Sequence, residues 1–87
     1  MTEQTLLEFP CDFPIKIIGV NQADYAQAIL AVILRHAPDF DAASMEMRAS
    51  VKGNYLSLTC CVRATSKSQL DALYRELTVH PLVKVVL

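Results

Sequence analysis

Between Met45 and Ala64 two alternating apolar runs meet across a short polar break that carries a glycine. On the first arm Met45, Met47, Ala49 and Val51 fall at every second position, with Glu46, Arg48 and Ser50 between them. On the second, Leu56, Leu58, Cys60 and Val62 alternate with Ser57, Thr59, Cys61 and Arg63. A period of two is the pattern of a strand that buries one face, so each arm is expected to be half-buried and the pair to form a β-hairpin. Gly53 and Asn54 lie at the break, and both residue types tolerate the positive φ that a tight hairpin turn needs.

The flanking segments extend this hairpin into a complete domain. Residues Met1 to Thr5 are polar and expected to fray. Leu6 to Pro14 is apolar, but its two prolines, Pro10 and Pro14, argue against a helix interior or a central strand. Residues 1–13 are therefore read as an extended strap that buries Leu6 or Leu7, Phe9 and Phe13, and that either packs as a strap over the open sheet face or leaves that face for a partner. Ile15 to Val20 is β-branched and nearly continuously apolar, as expected of a central strand covered on both faces. Asn21 is placed to cap a helix from about Gln22 to His36, with Asp24 in its first turn and Ile29, Leu30 and Ile33 on its buried side. Pro38 ends it. Ser66-Lys67-Ser68-Gln69 has the form of a capping box before a second helix, which presents Leu70, Leu73, Tyr74 and Leu77 on one face. Leu82 to Leu87 supplies the last strand. The order β-α-β-β-α-β with right-handed crossovers gives an α+β ferredoxin-like sandwich. Its four antiparallel strands lie in the order 4-1-3-2, with both helices on one face, and residues 1–87 form one domain.

Composition limits the functions such a domain can carry. Among 87 residues, 53% are hydrophobic and 20% charged, enough apolar material for one core without disulfides or metals. The net charge is −1 and the pI about 6.0, which lacks the positive footprint of a nucleic-acid binder. No apolar run approaches the roughly 18–20 residues of a membrane span, and the N-terminus shows no basic start followed by an apolar core, so neither a membrane nor a secretory route is expected. Cys11, Cys60 and Cys61 are odd in number and lack metal-ligand spacing, and adjacent Cys60 and Cys61 point to opposite sides of their strand. Reduced thiols in a cytoplasmic protein without metal or cofactor follow.

Several separated motifs resemble the YbeD family of small bacterial proteins. They are Leu6-Leu7-Glu8-Phe9-Pro10 with Phe13-Pro14, the I-x-G of Ile17–Gly19, Arg35-His36-Ala37-Pro38, Lys52-Gly53-Asn54-Tyr55, the L-Y-x-E-L of Leu73–Leu77, and the ending Val83–Leu87. One departure is Val51, where the family pattern has a serine. The resemblance implies a ferredoxin-like fold similar to ACT-type regulatory domains in a cytoplasmic bacterial protein, and it brings no catalytic residues with it.

The signatures of enzymes on this architecture are missing from the expected places. The loop after the first strand, Gly19 to Ala23, has no arginine for phosphoryl transfer and no paired thiolates for a metal. His36 and His80 stand apart at a helix end and in a late turn. What remains is a non-enzymatic regulatory or binding module for a protein or a metabolite, self-associating or joined to a protein partner. Candidate contacts are Ile18, Arg48, Tyr55 and Arg63 on the uncovered sheet face, where Leu82, Lys84 and Val86 of the last strand are also expected. The Lys52-Gly53-Asn54 turn joins them, since its backbone N–H groups and lysine could hold a small carboxylate. Two other readings stay open: a small hydrolase or transferase using Cys61 or His80, and an RNA-binding module stacking bases on the sheet face, for which Tyr55 would be one ring.

Overall fold

The computed structural model describes residues 8–87. Leu6 and Leu7 of the expected strap lie outside them. The elements follow in the order β1 (Cys11–Val20), α1 (Tyr25–His36), a short 3-10 turn (Ala42–Ser44), β2 (Glu46–Ala49), β3 (Tyr55–Ala64), α2 (Lys67–Thr78) and β4 (Val83–Val86). The four strands form one sheet in the order β2-β3-β1-β4, and every pairing is antiparallel. This is the ferredoxin-like sandwich expected from the sequence.

The hairpin is present, with a different turn and a different environment. Ser50 N–H donates to the Tyr55 carbonyl at 2.9 Å and Gly53 N–H to the Ser50 carbonyl at 2.9 Å, so four residues, Val51 to Asn54, make the loop. Gly53 alone takes a positive φ, 76°, and Asn54 does not. All four residues of β2 are exposed, which corrects the expectation that this arm buries a face. Leu58 opposite Met47 is fully buried while Met47 is 60% exposed. The physical reason is the position of the helices. They clasp each other over the middle of the sheet, where Glu76 of α2 accepts from Arg35 and meets His36 Nε2 at 2.7 Å, and β2 lies beyond their cover.

β1 is longer than its composition suggests. It runs from Cys11 straight through Pro14, so residues 11–13 of the expected strap are strand, and Phe13 packs edge-on against Tyr74 with ring centroids 6.4 Å apart. Proline is tolerated because Lys16 exchanges both backbone hydrogen bonds with Leu87, the last residue of the chain. Two positions earlier the Pro14 nitrogen faces the β4 side beyond the last β4 pairing, where no described residue is deprived of a donor. β1 is central as expected, but only its odd-numbered side is buried. Lys16 is exposed and Ile18 half-buried on the other side, which no helix covers, so the expectation of cover on both faces is corrected.

The core joins Ile15 and Ile17 of β1, Leu58, Cys60, Val62 and Ala64 of β3, and the inward stripes of both helices. Tyr25 brings a hydroxyl into it, and Tyr25 Oη donates to the Ile17 carbonyl at 3.1 Å. Burial, and secondarily the nearby Cys60, pushes its pKa up to about 12. The ring leaves no room beside Gly19. A Cβ there would strike the Leu82 carbonyl and come within 2.5 Å of Tyr25 Cε1, so glycine is required by close approach, without any unusual φ.

Two helix starts differ from expectation. α1 begins at Tyr25 after Asp24, whose side chain makes no cap hydrogen bond and takes one from Gln22 instead. Asn21 ties two loops together: its N–H donates to the Asn54 carbonyl at 3.1 Å and its Nδ2 to the Gly53 carbonyl at 2.9 Å. For α2, Ser66 Oγ accepts from Gln69 N–H at 3.1 Å as a cap should. The reciprocal arm of the box is replaced, because Gln69 Oε1 accepts from Thr65 N–H and Gln69 Nε2 donates to the His36 carbonyl at 2.8 Å, joining α2 to the end of α1.

Candidate functional site

Strand alternation divides the sheet into a covered side and an open one. Lys16 and Ile18 of β1, Glu46 and Arg48 of β2, and Tyr55, Ser57 and Thr59 of β3 share the open side. The register places Lys16 beside Thr59, Arg48 beside Ser57, and Glu46 on the other flank of Thr59. Two adjoining depressions result. The larger, of about 540 Å3, is lined by Lys16, Glu46, Met47, Arg48, Ser57 and Thr59. The smaller, of about 220 Å3, shares Lys16, Arg48 and Ser57 and adds Ile18, Tyr55 and Ser50.

Electrostatics single out two of these residues. Among the described residues Lys16 and Arg48, like Lys52, Arg75 and Lys84, form no ion pair, whereas Arg63 pairs with Asp12 at 3.0 Å, Lys67 with Asp71 at 3.0 Å, and Arg35 with Glu76. Lys16 and Arg48 are the two that share a depression. Both cations therefore present undiverted donors next to the hydroxyls of Ser57 and Thr59. An anionic group laid on this surface would find an ammonium, a planar guanidinium fork and neutral hydroxyl donors within one patch, with the carboxylate of Glu46 at its β2 flank favouring a position toward Ser57 and the smaller depression.

The residues singled out from sequence fall into three places. Ile18, Arg48 and Tyr55 come together at the smaller depression. Arg63 is on the same side but at the far end of β3, engaged with Asp12. Lys52, Gly53 and Asn54 form the hairpin turn, where Gly53 N–H is used within the turn and the Gly53 and Asn54 carbonyls are held by Asn21. Of the backbone donors expected to cradle a carboxylate, Gly53 N–H is thus taken up within the turn, and the turn's carbonyls fasten it to the loop after β1. Lys16, Ser57 and Thr59, which alternation also assigns to the uncovered face, are not among the candidate contacts read from sequence; what the structure adds is that they share one depression with Arg48.

The last strand corrects another expectation. The register of β4 slips between Ile18 and Gly19, with Ile18 opposite Val85 and Gly19 opposite Val83, so Lys84 is an extra residue in a bulge. Val86 pairs with buried Ile17 and packs on the core with Leu82, and it is Val85, 44% exposed, that neighbours Ile18 on the open side. Thiol chemistry divides along the same line. Cys60 is buried, and burial pushes its pKa up to about 11, while Cys61 is exposed on the open side. The histidines have structural partners, His36 in Glu76 and His80 in the Leu82 N–H, which donates to His80 Nδ1 at 3.2 Å.

With this geometry in hand, comparison with known proteins places the chain. The family described as "Protein of unknown function (DUF493)" matches residues 4–87. The chain belongs to this family. Among its DUF493 relatives, a UPF0250 protein of Nitrosomonas europaea is 52% identical over 87 residues, the whole of both chains. A UPF0250 protein of Ralstonia nicotianae is 56% identical over 84 residues, covering 97% of this chain and 87% of its own. Another, of Bordetella pertussis, is 54% identical over 85 residues, covering 98% and 93%. This agrees with the YbeD resemblance carried by the motifs. Among solved structures, the ACT domain from a GTP pyrophosphokinase of Chlorobium tepidum superposes with a TM-score of 0.59 and 21% identity, covering 88% of this chain and 97% of that one. At that identity the likeness is one of fold, and the DUF493 chain shares with it the ferredoxin-like sandwich. No helix of the described residues is long and apolar enough to cross a membrane.

Proposed function

We propose that this protein is a non-enzymatic binding module that takes a small carboxylate-bearing ligand on its open sheet face. The observation that carries the reading is the pair of cations Lys16 and Arg48, without ion-pair partners among the described residues, beside Ser57 and Thr59 in adjoining depressions. A carboxylate bridging the guanidinium and the ammonium gains charge-assisted hydrogen bonds, and the half-buried Ile18 and Tyr55 supply an apolar wall for the rest of a small molecule. The likeness of fold to the ACT domain of a GTP pyrophosphokinase supports a regulatory module over a catalyst. So does the engagement of both histidines in structural contacts, which removes the partners that a Cys61 or His80 mechanism would need. A cytoplasmic location suits three unpaired thiols, one of them exposed.

The test is a titration of the protein, labelled for amide NMR, with small mono- and dicarboxylates up to millimolar concentration. Saturable shifts at Lys16, Arg48, Ser57 and Thr59 that vanish in Lys16→Ala are expected. A spectrum unmoved by every carboxylate, or shifts equal in Lys16→Ala, would overturn the reading.

A further inference from the structure

β2 is an edge strand whose backbone, side chains and charge order all suit one partner, a second copy of itself. Ser50 N–H bonds the Tyr55 carbonyl, so by the alternation of an antiparallel ladder Arg48 and Glu46 also turn their backbone groups toward β3, while Met47 and Ala49 turn theirs outward. Among the described residues no strand pairs with that edge, and all four residues of β2 are exposed. An exposed edge of this kind is a ready template for another strand.

We propose that two copies pair β2 against β2 about a two-fold axis through Met47, continuing both sheets into one of eight strands. In this register each Met47 N–H donates to the other copy's Met47 carbonyl, and Met47, 60% exposed in the single chain, stacks on its counterpart on the helix side. On the open side Glu46 stands opposite Arg48 of the second copy, and the symmetry makes the pair twice. Ala49 stands opposite Met45. The neighbouring registers are worse. An axis through Arg48 or Glu46 opposes like charges, and an axis through Ala49 runs the pairing into Val51 and Lys52, which the turn closed by Gly53 N–H has already bent away. The charge order Glu-x-Arg and the bend at the turn together select one register out of four. Isologous pairing of this kind closes on itself and leaves no second β2 edge to propagate. The inference does not rest on the ligand reading: the two share Arg48, which would face Glu46 of the second copy as well as the depression, but Lys16 takes no part in the contact.

Charge exchange tests it directly. The protein is expected to sediment as a dimer at micromolar concentration. Glu46→Arg and Arg48→Glu each place two like-charge pairs across the axis and should weaken association at least tenfold. In a mixture of the two variants one copy carries arginine at both positions and the other glutamate at both. Opposite charges then face each other twice across the axis, so a heterodimer should form where neither variant alone dimerises. Amide spectra of each variant check that the monomer is folded, and Met47→Lys, at the axis itself, should dissociate the dimer as well. A wild-type protein that remains monomeric to millimolar concentration would overturn the proposal. So would a dimer indifferent to both single exchanges, or variants that fail to reassociate on mixing. Lys16→Ala, which abolishes ligand binding under the reading above, leaves the dimer intact, so the two readings fail separately.

Discussion

Leu58 and Thr59 are neighbours on β3, yet Leu58 touches no solvent, and Thr59 lines an open depression. The same contrast runs along the whole sheet. On the helix side apolar groups interlock around Tyr25, whose hydroxyl is satisfied by the Ile17 carbonyl, and the faces of α1 and α2 seal the layer. On the other side charged and hydroxyl groups project, with nothing among the described residues packed on them. Identical backbone geometry therefore serves stability on one side and, under the proposed function, recognition on the other, and alternation alone keeps the two requirements from interfering.

The contrast can be broken by substitution, and the largest effects should fall on the sealed side. Leu58→Ala is expected to cost about 2–5 kcal/mol in denaturant unfolding, through lost transfer energy and the cavity left behind. Gly19→Ala should cost about 1–3 kcal/mol by the same measurement, since its Cβ meets the Leu82 backbone and a ring held on the other side by its own hydrogen bond. Thiol labelling sharpens the comparison within one strand. Cys60, buried and with its pKa pushed up to about 11, should react with a disulfide reagent at least a hundredfold more slowly than exposed Cys61 at neutral pH, the order of magnitude that thiolate fraction and access dictate. Comparable rates would mean that the layer opens far more often than its packing allows.

A smaller effect should come from the clasp between the helices. Hydrogen bonds from Arg35 and then His36 hold the Glu76 carboxyl below its ordinary value of 4.5, with burial opposing in part. Because the folded-state value is the lower one, the stabilisation is complete above pH 4.5 and is lost as pH falls through the folded-state value. The difference in thermal midpoint between wild type and Glu76→Gln should therefore shrink as pH falls below 4.5, and a gap that stays constant into acid would remove this role. Smallest of all, Thr59→Ala should change stability by less than about 0.5 kcal/mol, as expected for a surface site. A loss as large as that of Leu58→Ala would mean that the open side is packed in solution.

The topology was legible because each element announces itself locally: the alternation of Leu56 to Val62, the apolar spacing of α1, the serine cap of α2. What was not legible depended on where other elements stop. Met45 to Val51 alternates as a half-buried strand does, but whether its apolar side is covered is decided by how far α1 and α2 reach, and they stop short. Pro14 argued against a strand, and only the end of β4 at Lys16 shows why one is allowed there. Val85 and Val86 exchanged sides because of a single bulged residue, Lys84, that no periodicity records. Of the candidate site, Ile18, Arg48 and Tyr55 followed from alternation. At the K-G-N-Y turn Gly53 N–H bonds the Ser50 carbonyl, and the grip of Asn21 on the Gly53 and Asn54 carbonyls depends on where a loop more than thirty residues away comes to lie, which no local pattern records.

Asn21 gives that turn a further significance, in the order of events during folding. The hairpin of β2 and β3 closes across four residues and can form early, whereas the pairing of β1 with β3 must gather residues more than thirty positions apart. Asn21 bonds to Gly53 and Asn54 at the very end of that long-range ladder, where β1 hands over to α1. It can engage only when the local hairpin and the distant strand have already found register. The Asn21 side chain therefore acts as a late latch, and its removal is expected to speed unfolding while leaving the folding rate nearly unchanged.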